Sequence, residues 1–160
     1  VNVDGAALGA SGPAGCGGVF HTYRGFVKGC FQHFIGNGCA LEAELWVIIK
    51  AIEYAVSFGW TSLWLESDSM LAVSALKSRS RSVPWKLLAP WMDFLARCQR
   101  LHLTVTHIYR EANAAADALS KQAIVDHCSL WSFVATPPCS SFVASDMKGE
   151  VHTRLCNSPL

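Results

Sequence analysis

Leu65-Glu66-Ser67-Asp68-Ser69 is the stretch on which the fold turns: an apolar run from Ser62 to Leu65 ends there in acid, and the periodic segment Met70-Leu71-Val73-Leu76 begins. Such a junction predicts a strand running into a helix. Ser67 reads as the helix N-cap, and Asp68 as first-turn negative charge that the helix dipole favours. An Asp at the end of a strand also reaches out of the sheet, so the same residue reads either as a capping charge or as a functional carboxylate.

Upstream of this junction, Val1-Asn2-Val3-Asp4-Gly5 predicts a strand and the Gly-rich run Gly12 to Gly18 a turn. Val19 to Tyr23 and Phe26 to Phe34 are two further strands, and Gly36-Asn37-Gly38 closes the meander. From Ala40 the period becomes helical. Ala43, Val47, Ala51 and Ala55 fall on one stripe that Leu45, Ile48, Ile49 and Ile52 widen, so a helix running to Gly59 is expected to lie buried against a sheet. Ser62-Leu63-Trp64-Leu65 is short and continuously apolar, as in a parallel strand covered on both faces.

Downstream, Lys77 to Ser82 is a Ser-rich basic break. Trp85 to Cys98 is helical, with Pro90 expected to kink or divide it. Leu101 to Ile108 alternates and is β-branched, hence a strand, and Glu111 to Val125 is the last helix. Strands first and alternating elements later predict an α/β domain over residues 1–125, a mixed sheet with helices on its faces. Residues 126–160 read as an irregular tail.

With 160 residues, of which 51% are hydrophobic, the chain can bury one sizeable core but not two. A formal charge of +1 leaves no global electrostatic footprint, so a nucleic-acid partner requires a local patch. The one basic and aromatic cluster is Lys77, Arg79, Arg81 and Lys86 around Trp85, suited either to phosphates and a stacked base or to a solvated loop. Seven cysteines without a C-x-x-C pair point to reduced thiols and an intracellular setting, nuclear or cytoplasmic. His127, Cys128, Cys139, His152 and Cys156 lack the short spacing of structural zinc sites. Gly15-x-Gly17-Gly18 is followed by a strand where a phosphate loop needs a helix. No stretch approaches the roughly 18 to 20 apolar residues of a membrane span, and no charged-then-apolar leader precedes Val1. A start at Val1 without Met reads as a piece of something longer.

Four carboxylates stand out on this order: Asp4 in the first strand, Glu44 early in the long helix, Asp68 after the fourth strand and Asp117 in the last helix. Each alone has a bland reading as a turn residue, a cap or a solvated helix position. Glu44 lies among Ala43, Leu45, Val47 and Ile48, however, and Asp117 among Ala114, Ala115, Ala116, Ala118 and Leu119. Burying a carboxylate there is costly unless it is paired, hydrogen-bonded or bound to a metal. Several acids converging on one spot raise one another's pKa and call for a hard cation; oxygen-only ligation selects Mg²⁺ or Mn²⁺. Two such ions about 3.5 to 4 Å apart can clamp an in-line displacement at phosphorus.

Val3-Asp4-Gly5, Ala43-Glu44-Leu45, Glu66-Ser67-Asp68-Ser69 and the run from His107 to Lys121, through Asn113 and Asp117, together resemble ribonuclease H. The nearest resemblance is to the plant ribonuclease H-like domains related to non-LTR retrotransposon reverse transcriptases, and it covers Val1 to Ala123. It implies a five-stranded mixed sheet in order 3-2-1-4-5 and a Mg²⁺-dependent endonuclease, using two ions or Mn²⁺ in their place, that cuts the RNA strand of RNA–DNA hybrids. Asp4, Glu44, Asp68 and Asp117 would be the catalytic metal ligands, with His107 in the place of a mobile proton-transfer His. Hybrid contacts would come from Asn37, Ser69, Asn113 and the basic cluster, in a monomer or in part of a reverse-transcriptase polyprotein. The chain departs from the family pattern at Met70, where the bacterial enzyme has a hybrid-contacting Gln, and at Cys39 and Ala40, where Asn residues precede the helix; Asn37 substitutes in part. Two alternatives stay open: a catalytically weak nucleic-acid-binding remnant of a mobile element, and a nuclease of this fold acting on another nucleic acid.

Overall fold

The computed structural model describes residues 1–80 and 82–133. Three antiparallel strands, β1 (Asn2–Ala7), β2 (Gly12–His21) and β3 (Val27–Gly38), lead into α1 (Ala40–Ser57), β4 (Ser62–Ser67) and α2 (Met70–Lys77). A 3-10 turn at Trp85–Leu87 runs into α3 (Leu88–Cys98), followed by β5 (His102–His107). A second 3-10 turn at Arg110–Asn113 runs into α4 (Ala114–Asp126), and β6 (Ser129–Ser132) ends the described chain. The sheet order is β5-β4-β1-β2-β3-β6, with β4 parallel to both β1 and β5.

The expected 3-2-1-4-5 arrangement is therefore present, but the sheet has six strands among the described residues. The sixth comes from the stretch read as irregular and pairs antiparallel with Cys30 to His33 of β3. Its anchor is Trp131, whose ring lies 4.7 Å from that of Tyr54 and 5.6 Å from that of Phe20. Too short and polar to show a period, this strand is held by one aromatic side chain in a cluster built by distant elements. Arg81 and the tail residues Cys139, His152 and Cys156 lie outside the described residues.

The two faces of β1 differ by element. Odd positions face α1, and a Cβ on Gly5 would stand 2.4 Å from the backbone of Ala43 and Glu44. Even positions face α4, which packs across β1, β2 and β3. The Gly-rich run expected to turn is β2 itself: a Cβ on Gly17 would meet Leu119 Cβ at 2.4 Å and the Ser120 backbone nitrogen at 2.7 Å. Gly15 and Gly17 serve close helix approach, not reversal of the chain.

Because α4 stops at β1, the expected double cover of β4 fails. Leu63 and Leu65 are buried, whereas Trp64 is 47% exposed and donates its indole N–H to Thr106 Oγ1 at 2.7 Å. The stretch from Trp85 to Cys98 is divided into the 3-10 turn and α3, and Pro90 lies just after that division. It is the third residue of α3, inside the first turn, where its missing N–H has no intrahelical acceptor to lose. The core is built on α1, whose Leu45, Val47, Ile48, Ile49 and Ile52 are buried with Val3, Leu65, Phe31 and Trp91.

Candidate metal centre

The parallel register Val3 to Ser67 carries the chain one step further to set Asp4, in the middle of β1, beside Asp68, just past the end of β4. Gly5 lets the first turns of α1 close on β1, and this brings Glu44 to the same spot. One ligand oxygen from each of Asp4, Glu44 and Asp68 lies within 4.8 Å of the others. Three of the four predicted carboxylates thus converge, from two strands and a helix.

Each member of the triad is held differently. Asp4 is 5% exposed and accepts the Ser120 hydroxyl on Oδ2 at 2.6 Å. Asp68 accepts Asn113 Nδ2 on Oδ1 at 3.0 Å, and the same amide nitrogen donates to the Val3 carbonyl at 2.8 Å. Glu44 accepts a hydrogen bond from the Gly5 backbone, yet its Oε2 is buried without a partner. Burial pushes the Glu44 carboxyl up to about 9, with the charges of Asp4 and Asp68 adding to the rise and the Gly5 bond and Arg110 opposing it. Burial likewise raises Asp4, to about 7; the Ser120 bond opposes this, and the charges of Asp68 and Asp117 reinforce it.

Asp117 stands apart. Its carboxylate lies 2.6 Å from Lys121 Nζ and 3.5 Å from Arg110 Nη2, so its charge is compensated by cations of its own helix and of the preceding turn. It is near enough to raise Asp4 by repulsion but is not part of the triad.

The remaining predicted residues divide between the site and other places. His107 ends β5 and is exposed; its Nε2–H donates to the Asp68 carbonyl at 3.1 Å, which in the neutral ring leaves Nδ1 as an acceptor. Ser69, not Ser67, caps α2, accepting from the Ala72 backbone at 3.3 Å. Ser67 instead ends β4 fully buried, because odd positions of that strand face the core, and its hydroxyl accepts from the Ser69 backbone. Asn113, expected to contact nucleic acid, is 1% exposed and spans β1 and Asp68. Asn37 is exposed near the end of β3, next to the start of α1.

The described members of the basic cluster have different surroundings. Lys86 lies 3.8 Å from Glu42, whose other oxygen accepts the Cys39 backbone N–H in the first turn of α1, and Trp85 beside it is 82% exposed. Lys77 and Arg79 line a cavity of about 290 Å³ together with Leu95, Cys98 and Val105, beside β5. Sequence reasoning gave no role to Ser120, Lys121 or Arg110. Ser120 had a visible signal, a hydroxyl three residues after Asp117 in a helix otherwise apolar on that face.

A hard divalent cation fits this donor set. The ligands are all oxygens, they carry more negative charge than the protein compensates, and the unpartnered Glu44 Oε2 is an acceptor that only a cation, water or a proton can satisfy.

The chain matches the family described as reverse transcriptase-like over residues 2–123. It is 34% identical to a ribonuclease H protein of Arabidopsis thaliana over 160 residues, 96% of this chain and 25% of that protein. It is 30% identical to ribonuclease HI of Halobacterium salinarum over 133 residues, 77% of this chain and 62% of that protein. The chain therefore spans between a quarter and about three fifths of the length of these relatives. The crystal structure of LC11-RNase H1 in complex with an RNA/DNA hybrid superposes with a TM-score of 0.70 at 27% identity, covering 78% of this chain and 95% of that one. Fold, motif order and the match over residues 2–123 agree: this chain belongs to the reverse transcriptase-like family of ribonuclease H-like domains.

Proposed function

We propose that this chain is a ribonuclease H domain that hydrolyses the RNA strand of RNA–DNA hybrids with Mg²⁺, or Mn²⁺ in its place. The observation that carries the reading is the triad Asp4, Glu44 and Asp68 with ligand oxygens within 4.8 Å, in a fold shared with a protein crystallised on an RNA/DNA hybrid. Asp4, Glu44 and Asp68 would hold a first ion, and Asp117 would join them for a second. Divalent cations there would activate the attacking water and neutralise charge developing on the phosphate.

The chain's own residues do the rest. Asp4 and Asp68 each have one oxygen tied by the protein, which fixes the direction in which the other faces. Asp117 can join only by leaving Lys121 and Arg110, so the fourth ligand is exchanged between ion pairs and the site. His107 keeps Nδ1 open as a proton acceptor at the rim, while its bond to the Asp68 carbonyl holds the ring near the triad. Trp85 and Lys86 offer a flat ring and a cation to the hybrid, and Asn37 an amide.

A second reading, nucleic-acid binding with weak cleavage, is favoured by one observation. Met70 and Leu71, at the start of α2 beside Asp68, are 61% and 69% exposed and offer no hydrogen bonds where polar contacts to a hybrid are expected. In either reading the domain derives from a retrotransposon reverse transcriptase and works inside the cell, as a monomer or within a larger polyprotein. Matched RNA–DNA, RNA–RNA and DNA–DNA duplexes incubated with and without Mg²⁺ separate the alternatives. Mg²⁺-dependent cutting of the hybrid alone is the expected result. Binding without cleavage gives the second reading, and cleavage of another duplex gives a nuclease of different substrate.

A further inference from the structure

We infer that Ser120 is a positioning residue for the metal centre: from α4 it fixes the orientation of the Asp4 carboxylate and thereby strengthens divalent-cation binding. The inference rests on the cation site proposed above. Ser120 is completely buried, so its hydroxyl has neither solvent nor substrate as a partner. Its Oγ has two acceptors in reach, Asp4 Oδ2 at 2.6 Å and the Asp117 carbonyl at 2.9 Å. A hydroxyl carries one proton and can donate to one of them at a time. The shorter contact is to the carboxylate, and a hydrogen bond to an ionised acceptor is roughly twice as strong as one to a neutral carbonyl.

Packing alone does not call for a Ser here. Its buried neighbours on α4 are Ala116, Leu119, Ala123 and Ile124, all apolar, and Ala has the higher helix propensity. A hydroxyl in such a place costs free energy unless it is used. The backbone is also arranged for its short reach. Gly17 has no Cβ to hold Leu119 and Ser120 away from the sheet, so a side chain of one carbon and one oxygen spans from helix to strand. With Oδ2 occupied, Asp4 has its other oxygen left for the triad.

The test is Mn²⁺ binding to the nuclease-free protein in solution, followed by electron paramagnetic resonance of the ion and by calorimetry, with no substrate present. Ser120→Ala should bind Mn²⁺ about tenfold more weakly than wild type, the low end of the loss when a group orienting a metal ligand is removed. Ala123→Gly, one turn along the same buried face, loosens α4 without touching Asp4 and should keep wild-type affinity. Unchanged affinity in Ser120→Ala overturns the inference, as does an equal loss in Ala123→Gly, which would make the effect one of helix packing. Failure of wild-type protein to bind Mn²⁺ at all would bring down the cation site itself, a result distinct from either.

Discussion

Two carboxylate settings lie side by side in this molecule and are built on opposite terms. Asp4, Glu44 and Asp68 crowd together with no ion pair among the described residues and only the more distant Arg110 to ease Glu44, whereas Asp117, of the same chemistry, has a Lys at 2.6 Å and an Arg at 3.5 Å. The difference teaches that proximity of acids is not what marks a metal centre; lack of compensation is. Desolvated and mutually repelling groups store a demand for positive charge, while a compensated carboxylate has already met its own.

The largest effect that this contrast predicts is on catalysis. Asp68→Asn and Asp4→Asn should each lower single-turnover hybrid cleavage by about three orders of magnitude or more, the several kcal/mol of a lost metal ligand. Mg²⁺ should then no longer raise the melting temperature of Asp68→Asn, and an equal rise in mutant and wild type would break the contrast at its root. Below this comes His107→Ala, expected to slow cleavage about a hundredfold with Mn²⁺ binding retained, since it loses a proton acceptor but no ligand. A wild-type rate and pH profile would return His107 to a strand-end hydrogen bond.

Stability against pH sharpens the same comparison. Between the ordinary carboxylate values, 3.8 and 4.5, and the raised values of about 7 for Asp4 and about 9 for Glu44, the folded state holds protons that the unfolded chain has released. Unfolding then loses protons, so the metal-free protein becomes less stable as pH rises through this window. The expected record is a melting temperature that falls by several degrees from pH 5 to pH 9, a slope flattened in Glu44→Gln and opposed by Mg²⁺. A flat profile in wild type would mean that the triad is not under the strain its burial implies. The smallest effect belongs to Lys121→Ala, which removes a partly exposed ion pair of about 0.3–0.5 kcal/mol. Thermal melts should show a loss of about a degree, and calorimetry a few-fold tighter binding of a second Mn²⁺ as Asp117 is released.

Much of this was legible in the chain because it rests on local pattern. The long helix announced itself by period, and Glu44 by its apolar neighbours; Asp68 was exposed by the abrupt end of an apolar strand. What stayed hidden depends on partners far away in sequence. The glycines of β2 look like a turn until α4 is laid on them, and Trp64 looks like core until α4 is seen to stop short of β4. Asn113 reads as a polar residue early in the last helix and free for a hybrid, since nothing nearby in the chain reveals that Val3 and Asp68 meet its amide. Ser67 and Ser69 compete as caps, and only the register of β4 decides which one turns inward. The engagement of Asp117 by Lys121, four residues on, was within reach of helix spacing; the Arg110 contact needed the 3-10 turn before it.

The bare backbone of Gly5 against α1 has a consequence for cation binding. The main chains that carry Glu44 and Asp4 meet at Gly5 with no side chain between them. The spacing of the two main chains defined in this way has little room to close further. Mg²⁺ demands ligands at about 2.0–2.1 Å in near-octahedral array, whereas Ca²⁺ accepts about 2.3–2.6 Å and a looser shell. A single methyl group at position 5 would wedge the helix off the strand and draw Glu44 away from Asp4 and Asp68, so a cation held by all three would depend on the absence of one carbon atom.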